Sequence, residues 1–173
     1  LKGDSPLKKQ YGMKGIPKPD LIVYNTNQCR EVQDWFNFFA KEFNCPIAGI
    51  HPPRYVDEVS KEEIALVVDQ HKKIISICEK TSGNKFDIDK FRETLKLSRE
   101  ATNLWQDVLK TSIASPAPLS FFDGVIHMGP IVVMRGTQQA NDYYSKLLKE
   151  LKENVKNKIG VVKNEQTRIF WEG

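Results

Sequence analysis

A short apolar run joined to an amphipathic helix through a polar turn constrains this chain more than any other stretch. In PDLIVYNTNQCREVQDWFNFFAKEF, residues 19–43, the run Leu21-Ile22-Val23-Tyr24 shows no alternation of apolar and polar residues. That pattern predicts a strand buried on both faces of a parallel sheet. A parallel strand needs a crossover, and Val32, Trp35, Phe36, Phe39, Ala40 and Phe43 recur three or four apart, as on one face of a helix that packs back onto the sheet. A second apolar run, Cys45-Pro-Ile-Ala-Gly-Ile50, closes a strand-helix-strand unit of the usual right-handed sense. Ligands of open parallel sheets bind outside the carboxyl ends of the strands. The segment Asn25-Thr26-Asn27-Gln28-Cys29 lies at that end, just before the helix, where the helix dipole and unpaired N–H groups favour a thiolate.

With 173 residues, 40% hydrophobic and 28% charged, the chain has the composition of a globular protein. No apolar run approaches the ~20 residues that span a bilayer, so no membrane segment is expected. The opening LKGDSPLKKQYG has charges but no apolar core, unlike a secretory signal, and the cytoplasm is the expected location. The net charge of +4 is spread over helices that also carry many acids, without the basic and aromatic interleaving of a nucleic-acid groove, so nucleic acid is not an expected partner. Three cysteines, Cys29, Cys45 and Cys78, make an odd count that argues against a disulfide framework.

Residues 1–18, with Gly3, Pro6, Gly12, Gly15 and Pro17 among lysines, read as loop. After the strand-helix-strand unit, His51-Pro52-Pro53-Arg54 marks a boundary, because consecutive prolines hold the chain extended and remove two donors. Ser60 and Glu63 have capping-box spacing and open a helix with an apolar face of Ile64, Val67, Val68, His71, Ile74, Ile75 and Cys78, stopped at Ser82-Gly83. A further helix is expected from Asp87 or Asp89 to just before Ser115-Pro116. Ser120 and Asp123 cap a segment from Phe121 to Arg135 that is apolar nearly all round and broken at Gly129-Pro130; such a helix is expected to be buried. From Thr137 a helix with the inner stripe Ala140, Tyr144, Leu147, Leu148, Leu151 and Val155 runs to a stop at Gly160, and Arg168-Ile-Phe-Trp171 reads as a fresh strand.

Cys29 on its turn is open to three readings: metal ligand, nucleophile, or a small residue at a tight bend. No second Cys or His stands at metal-ligand spacing from it. Cys45 and Cys78 fall in apolar patterns, where free cysteine acts as a small hydrophobe. His71 reads as a packed, hydrogen-bonded histidine, and His51 as a loop residue. His127 and Arg135, an imidazole and a guanidinium in a nearly all-apolar segment, are candidates to line a cavity for a polar or anionic ligand, with ordinary packing as the alternative. Glycines 124, 129 and 136 do not make a phosphate-binding fingerprint, so neither a P-loop nor a dinucleotide site is indicated.

PDLIVYNTNQC with its Trp-bearing helix, the helix NDYYSKLLKELKENV and the closing KNEQTRIFWEG together resemble the middle of a subunit of the 2-hydroxyacyl-CoA dehydratases and ATP-dependent benzoyl-CoA reductases. The stretch PAPLSFFDGVIHMGPIVVMRGTQQAN looks closer to the reductase branch. The resemblance implies a 4Fe-4S cluster held by three cysteines from separate parts of the subunit, of which Cys29 matches one; the others would fall before Leu1 and after Gly173. It implies an acyl-CoA substrate, a related partner subunit and a separate ATP-hydrolysing iron-sulfur activator that delivers single electrons. The chemistry implied is a ketyl radical anion at the thioester carbonyl, leading either to dehydration of a 2-hydroxyacyl-CoA or to reduction of an aromatic ring. Asn25, Thr26, Asn27 and Gln28 are placed to donate hydrogen bonds to sulfur, and burial with such bonds sets a cluster's potential. The rival reading is a non-catalytic partner or scaffold subunit of the same fold without a working cluster.

The expected fold is therefore α/β, a Rossmann-like parallel strand-helix-strand unit with a large helical insertion, from a two-lobed subunit. Residues 1–59 form a partial Rossmann-like domain carrying the Cys29 turn, 60–159 a helical region, and 160–173 the start of a second α/β domain.

Overall fold

The computed structural model describes residues 10–12, 17–53 and 58–169. Contacts divide the chain into two compact units, Leu1–Phe86 and Asp87–Gly173. The first holds the parallel pair that the apolar runs predict. Strand β1 (Ile22–Asn25) leads through the polar turn into helix α1 (Arg30–Phe43), and β2 (Ile47–Ile50) pairs with β1 in parallel, Ile22 opposite Ile47 and Asn25 opposite Ile50. The connection from helix to strand is short because Asn44 adopts the left-handed conformation, φ 49°, and the Cys45 N–H returns to the Ala40 carbonyl at 3.0 Å. A Cβ at Gly49 on β2 would come 2.8 Å from Tyr24 Cζ, so a larger residue there requires the tyrosine ring to shift.

Two burial expectations fail in this unit. β1 is covered on one face only: Ile22 is buried while Val23 is 42% exposed. On α1, Ala40 is buried and Val32, Phe36, Phe39 and Phe43 are half-buried, but Trp35 is 62% exposed. Two strands are too narrow to cover the full apolar arc of the helix, and Trp35 lies one step, about 100°, around from Phe36.

Helix α2 (Lys61–Ser82) begins with the expected capping box, Ser60 Oγ accepting the Glu63 N–H and Glu63 accepting the Ser60 N–H, and ends at Gly83 with φ 72°. It packs against β2 and so belongs with the strands rather than with the helices that follow. None of its residues is fully buried. Val67, Ile74 and Ile75 are half-buried, whereas Ile64, Val68, His71 and Cys78 are exposed, which corrects the packed roles expected of His71 and Cys78. A four-residue strand spans about 13 Å and a 22-residue helix about 33 Å, so β2 shields only part of the stripe. His71 is satisfied within its own helix, Nδ1 lying 2.8 Å from the Val67 carbonyl.

The second unit is helical. Asp87 caps α3 (Ile88–Lys110), a 3-10 turn follows at Thr111–Ile113, and two short helices, α4 (Phe121–His127) and α5 (Gly129–Val133), precede α6 (Gln138–Lys156). The long α3 and α6 pack together, burying Ala101 and Val108 against Ala140, Tyr144, Leu148 and Leu151, with Leu119 and Ile131 closing the cluster. The expected stripe of α6 holds, its lysines and glutamates 146, 149, 150, 152 and 153 all facing solvent. Asn141, which apolar periodicity does not single out, is also buried; its amide donates to Glu100 Oε2 at 3.1 Å.

The segment from Phe121 to Arg135 is not buried as expected. Its Ser120 and Asp123 capping box is present, but only Ile131 is buried, with Met134 packed half-buried against the core, and Phe121 and Phe122 are 76% and 75% exposed. The five-residue α5 packs against α3 and α6 and the seven-residue α4 against α5, so the remaining faces of these short helices stay open among the described residues. Pro130 starts α5 as much as it ends α4, being tolerated in a first helical turn. α6 ends at Asn157 with Lys158 left-handed, before the stop expected at Gly160. Of the expected final strand, Arg168 and Ile169 take no part in a sheet, and Phe170 and Trp171 lie outside the described residues. No helix of the described residues is long and apolar enough to cross a membrane.

Candidate functional site

The turn carrying Cys29 is fixed from both sides. Asn25 Oδ1 accepts the Asn27 N–H at 2.7 Å and the Asn25 carbonyl accepts the Gln28 N–H at 3.3 Å, an Asx-type bend that ends β1. Thr26 donates both its N–H and its hydroxyl to the Ile50 carbonyl, extending the ladder to β2. From α1, the Gln33 side-chain amide donates to the carbonyls of Gln28 at 2.9 Å and Thr26 at 3.5 Å. These bonds use the polar groups of Asn25 and Thr26 inside the turn rather than on the sulfur. Cys29 itself is the N-cap of α1, with φ −54° and ψ 148°; it is exposed and its side chain makes no cap bond. The thiol is therefore presented at the helix N-terminus, beyond the carboxyl end of β1, and is not consumed by the fold.

The other two cysteines do not join it. Cys45 follows the C-cap of α1, so it is separated from Cys29 by the whole 14-residue helix, roughly 21 Å along the axis. Cys78 is exposed near the end of α2. Among the described residues no three His, Cys, Asp or Glu side chains gather into a metal site.

His127 closes α4 at its junction with α5, Arg135 follows the end of α5, and the two take different partners. His127 Nδ1 lies 2.6 Å from the Tyr143 hydroxyl, while its carbonyl accepts the Tyr144 hydroxyl at 2.8 Å. Arg135 is exposed and its Nε donates to the Ile131 carbonyl at 3.3 Å. Asp123, close behind His127, has its carboxyl held below the usual range by hydrogen bonds from the Ser120 hydroxyl and backbone. Burial pushes the Tyr144 phenol up. The apolar pattern places Tyr144 in the core but gives no partner for its hydroxyl; the rule that a buried phenol needs one is the available signal.

A second polar assembly, which no spacing within the sequence singles out, ties the chain after α6 to the turn after α3. The Val161 N–H donates to the Ala117 carbonyl at 3.0 Å, and the Ala117 N–H donates to Glu165 Oε2 at 2.7 Å. Arg168 pairs with Glu165 and donates to the carbonyls of Ser112, at 2.7 Å, and Ala114. Arg168 and the Ala117 N–H hold the Glu165 carboxyl below its ordinary value. Gly160 is required by close approach, since a Cβ there would lie 2.5 Å from Pro116 Cβ.

Residues 5–173 match the family model described as 2-hydroxyglutaryl-CoA dehydratase, D-component. The chain is 33% identical over 160 residues to the (R)-phenyllactyl-CoA dehydratase alpha subunit of Clostridium sporogenes, covering 91% of this chain and 39% of that protein. It is 32% identical over 170 residues to a benzoyl-CoA reductase subunit of Thauera aromatica, covering 92% and 39%. Against the (R)-2-hydroxyglutaryl-CoA dehydratase alpha subunit of Acidaminococcus fermentans the figures are 30% over 166 residues, 95% and 35%. The chain thus spans about two-fifths of the length of the curated relatives it matches. With the match running over nearly all its residues, the chain belongs to the 2-hydroxyglutaryl-CoA dehydratase D-component family.

Proposed function

We propose that this chain is part of an enzyme subunit that dehydrates or reduces an acyl-CoA thioester, with Cys29 as one protein ligand of a 4Fe-4S cluster. The observation that carries the reading is the position of Cys29: an exposed thiol, unused by the fold, on a rigid turn at a helix N-terminus beyond a parallel strand. Iron-sulfur clusters are held by cysteine thiolates, and a helix N-terminus stabilises the negative charge such a ligand carries. Cys29 fits one such position, and the remaining ligands belong to sequence outside this chain. A cluster held there supplies single electrons at low potential, charged by a separate ATP-hydrolysing activator. Gln33, Asn25 and Thr26 keep the ligand in place through the turn. His127, supported by Tyr143, and Arg135 are assigned to the substrate, the imidazole for a polar group and the guanidinium for an anionic one. Relatives named as alpha subunits of dehydratases and as one subunit of a reductase support a related partner subunit. The cytoplasm is the assigned location.

The second reading is a scaffold subunit of the same fold without a working cluster. Iron content separates the two. In the full-length subunit with its partner, purified anaerobically, Cys29→Ser is expected to remove most of the iron and the cluster's paramagnetic signal. Stability of the iron-free fold should not fall, because serine is a better N-cap than a side chain that makes no cap bond, by about 0.5–1 kcal/mol. Full iron content in the variant would reject Cys29 as a ligand.

A further inference from the structure

Outside the Cys29 turn, the described residues form a concavity of about 420 Å3 between the Ser115-Pro116 turn and the loop after α6, lined on its polar side by Ser115, Lys158, Lys163, Asn164 and Glu165. That volume is within the range of small-molecule sites. Its walls are fixed: Gly160 lies against Pro116 with no room for a methyl group, and the Val161-Ala117 and Ala117-Glu165 hydrogen bonds lock loop to turn. Its charge is decided by which groups are already used. Glu165, the one acid of the lining, is committed to Arg168 and the Ala117 N–H. Neither Lys158 nor Lys163 is in an ion pair with another described residue. Lys158 and Asn164 both hold left-handed backbone, φ 54° and 56°, Lys158 where the chain leaves α6.

Two lysines without an ion pair among the described residues, in the same cavity lining as Ser115 and Asn164, suit a multiply charged oxyanion. Lysine serves as a mobile point charge for phosphate. We propose that this cavity binds a phosphate or pyrophosphate group of the coenzyme A moiety, resting on the acyl-CoA reading above. The nucleotide end of a thioester substrate is then anchored on the helical unit by contacts that do not touch the reacting acyl group, so Lys158 and Lys163 are binding residues and not catalytic ones.

The test uses the full-length subunit assembled with its partner. Calorimetric titrations with coenzyme A, 3′-dephospho-coenzyme A, inorganic pyrophosphate and a pantetheine thioester are compared for the wild type, Lys158→Gln, Lys163→Gln and the double variant. Loss of one charge-assisted contact is expected to weaken coenzyme A binding about tenfold in each single variant, with a larger loss in the double, while the phosphate-free pantetheine thioester is unaffected. Lys163, whose backbone is not left-handed, repeats the test without the conformational question at Lys158. A greater loss for coenzyme A than for its dephospho form identifies the 3′-phosphate; equal loss, shared with pyrophosphate, identifies the diphosphate. Coenzyme A affinity within twofold of wild type in the double variant would overturn the site and leave the acyl-CoA reading standing. Lysine-dependent binding of pyrophosphate by a wild type that binds neither coenzyme A nor the thioester would overturn both.

Discussion

The hydroxyl of Tyr144 accepts the backbone N–H of Ile131 at 2.9 Å, joining the only buried residue of α5 to the centre of α6. The same hydroxyl donates to the His127 carbonyl, so one phenol holds the junction of α4 and α5 in place. Tyr144→Phe leaves the ring packed against Trp105, centroids 5.3 Å apart, but strands a buried N–H and a carbonyl. Urea denaturation of the full-length protein should show a loss of about 1–3 kcal/mol, the cost of an unmade buried hydrogen bond. A loss below about 0.5 kcal/mol, the lower end of a typical hydrogen bond's net worth, would mean that the junction does not depend on this hydroxyl.

His127 is expected to act on substrate and not on iron. In the complex of full-length subunit and partner, His127→Ala should raise the Michaelis constant of the acyl-CoA or lower turnover while iron content stays at the wild-type level. Tyr143→Phe, which removes the hydroxyl bonded to Nδ1 at 2.6 Å, should give a weaker effect of the same kind. Unchanged kinetics in His127→Ala would return the imidazole to a packing role.

The Glu165 clasp should open in acid. Its carboxyl is held below the ordinary 4.5 chiefly by Arg168, so the folded state favours the charged form. The stabilisation is therefore fully present above pH 4.5 and is lost as pH falls through the lower folded-state value. The protection of the Ala117 amide, relative to its intrinsic exchange rate, should fall in that acid range before the helices melt, and Glu165→Gln should remove the pH dependence. An Ala117 amide that stays protected until global unfolding would show that the carboxylate is not what holds the loop.

Local chemistry was legible in the sequence wherever one rule applied to adjacent residues. The Ser60-Glu63 and Ser120-Asp123 boxes, a helix start at Asp87 or Asp89, the Gly83 stop and the inner stripe of α6 all rest on spacing within a few residues. Parallel pairing of the two short strands was also readable, because an apolar run, an amphipathic helix and a second run admit few topologies. Burial was less legible. Spacing reports an apolar face, not what lies against it, and Trp35, Phe121 and Phe122 sit on faces that the described residues leave exposed.

At the candidate site, sequence could locate Cys29 on its turn but not the bonds around it, since Gln33 and Ile50 act across the fold. The lysine cavity was invisible for a related reason. Lys158 and Lys163 look like two more cations on a helix-rich surface, and only the closure of the loop onto Pro116 and the diversion of Glu165 to Arg168 make them a pair.

The differing exposure of the three thiols gives the protein an internal chemical reference. Cys29 and Cys78 are both open to a water-soluble alkylating reagent, and Cys45 is half-covered. Alkylation followed by peptide mass mapping therefore compares two accessible sulfurs on one molecule, so differences in reagent dose or protein amount cancel. Protection of Cys29 with Cys78 still labelled would report occupancy at the turn alone, and loss of that contrast on exposure to air would time the release of whatever the sulfur holds.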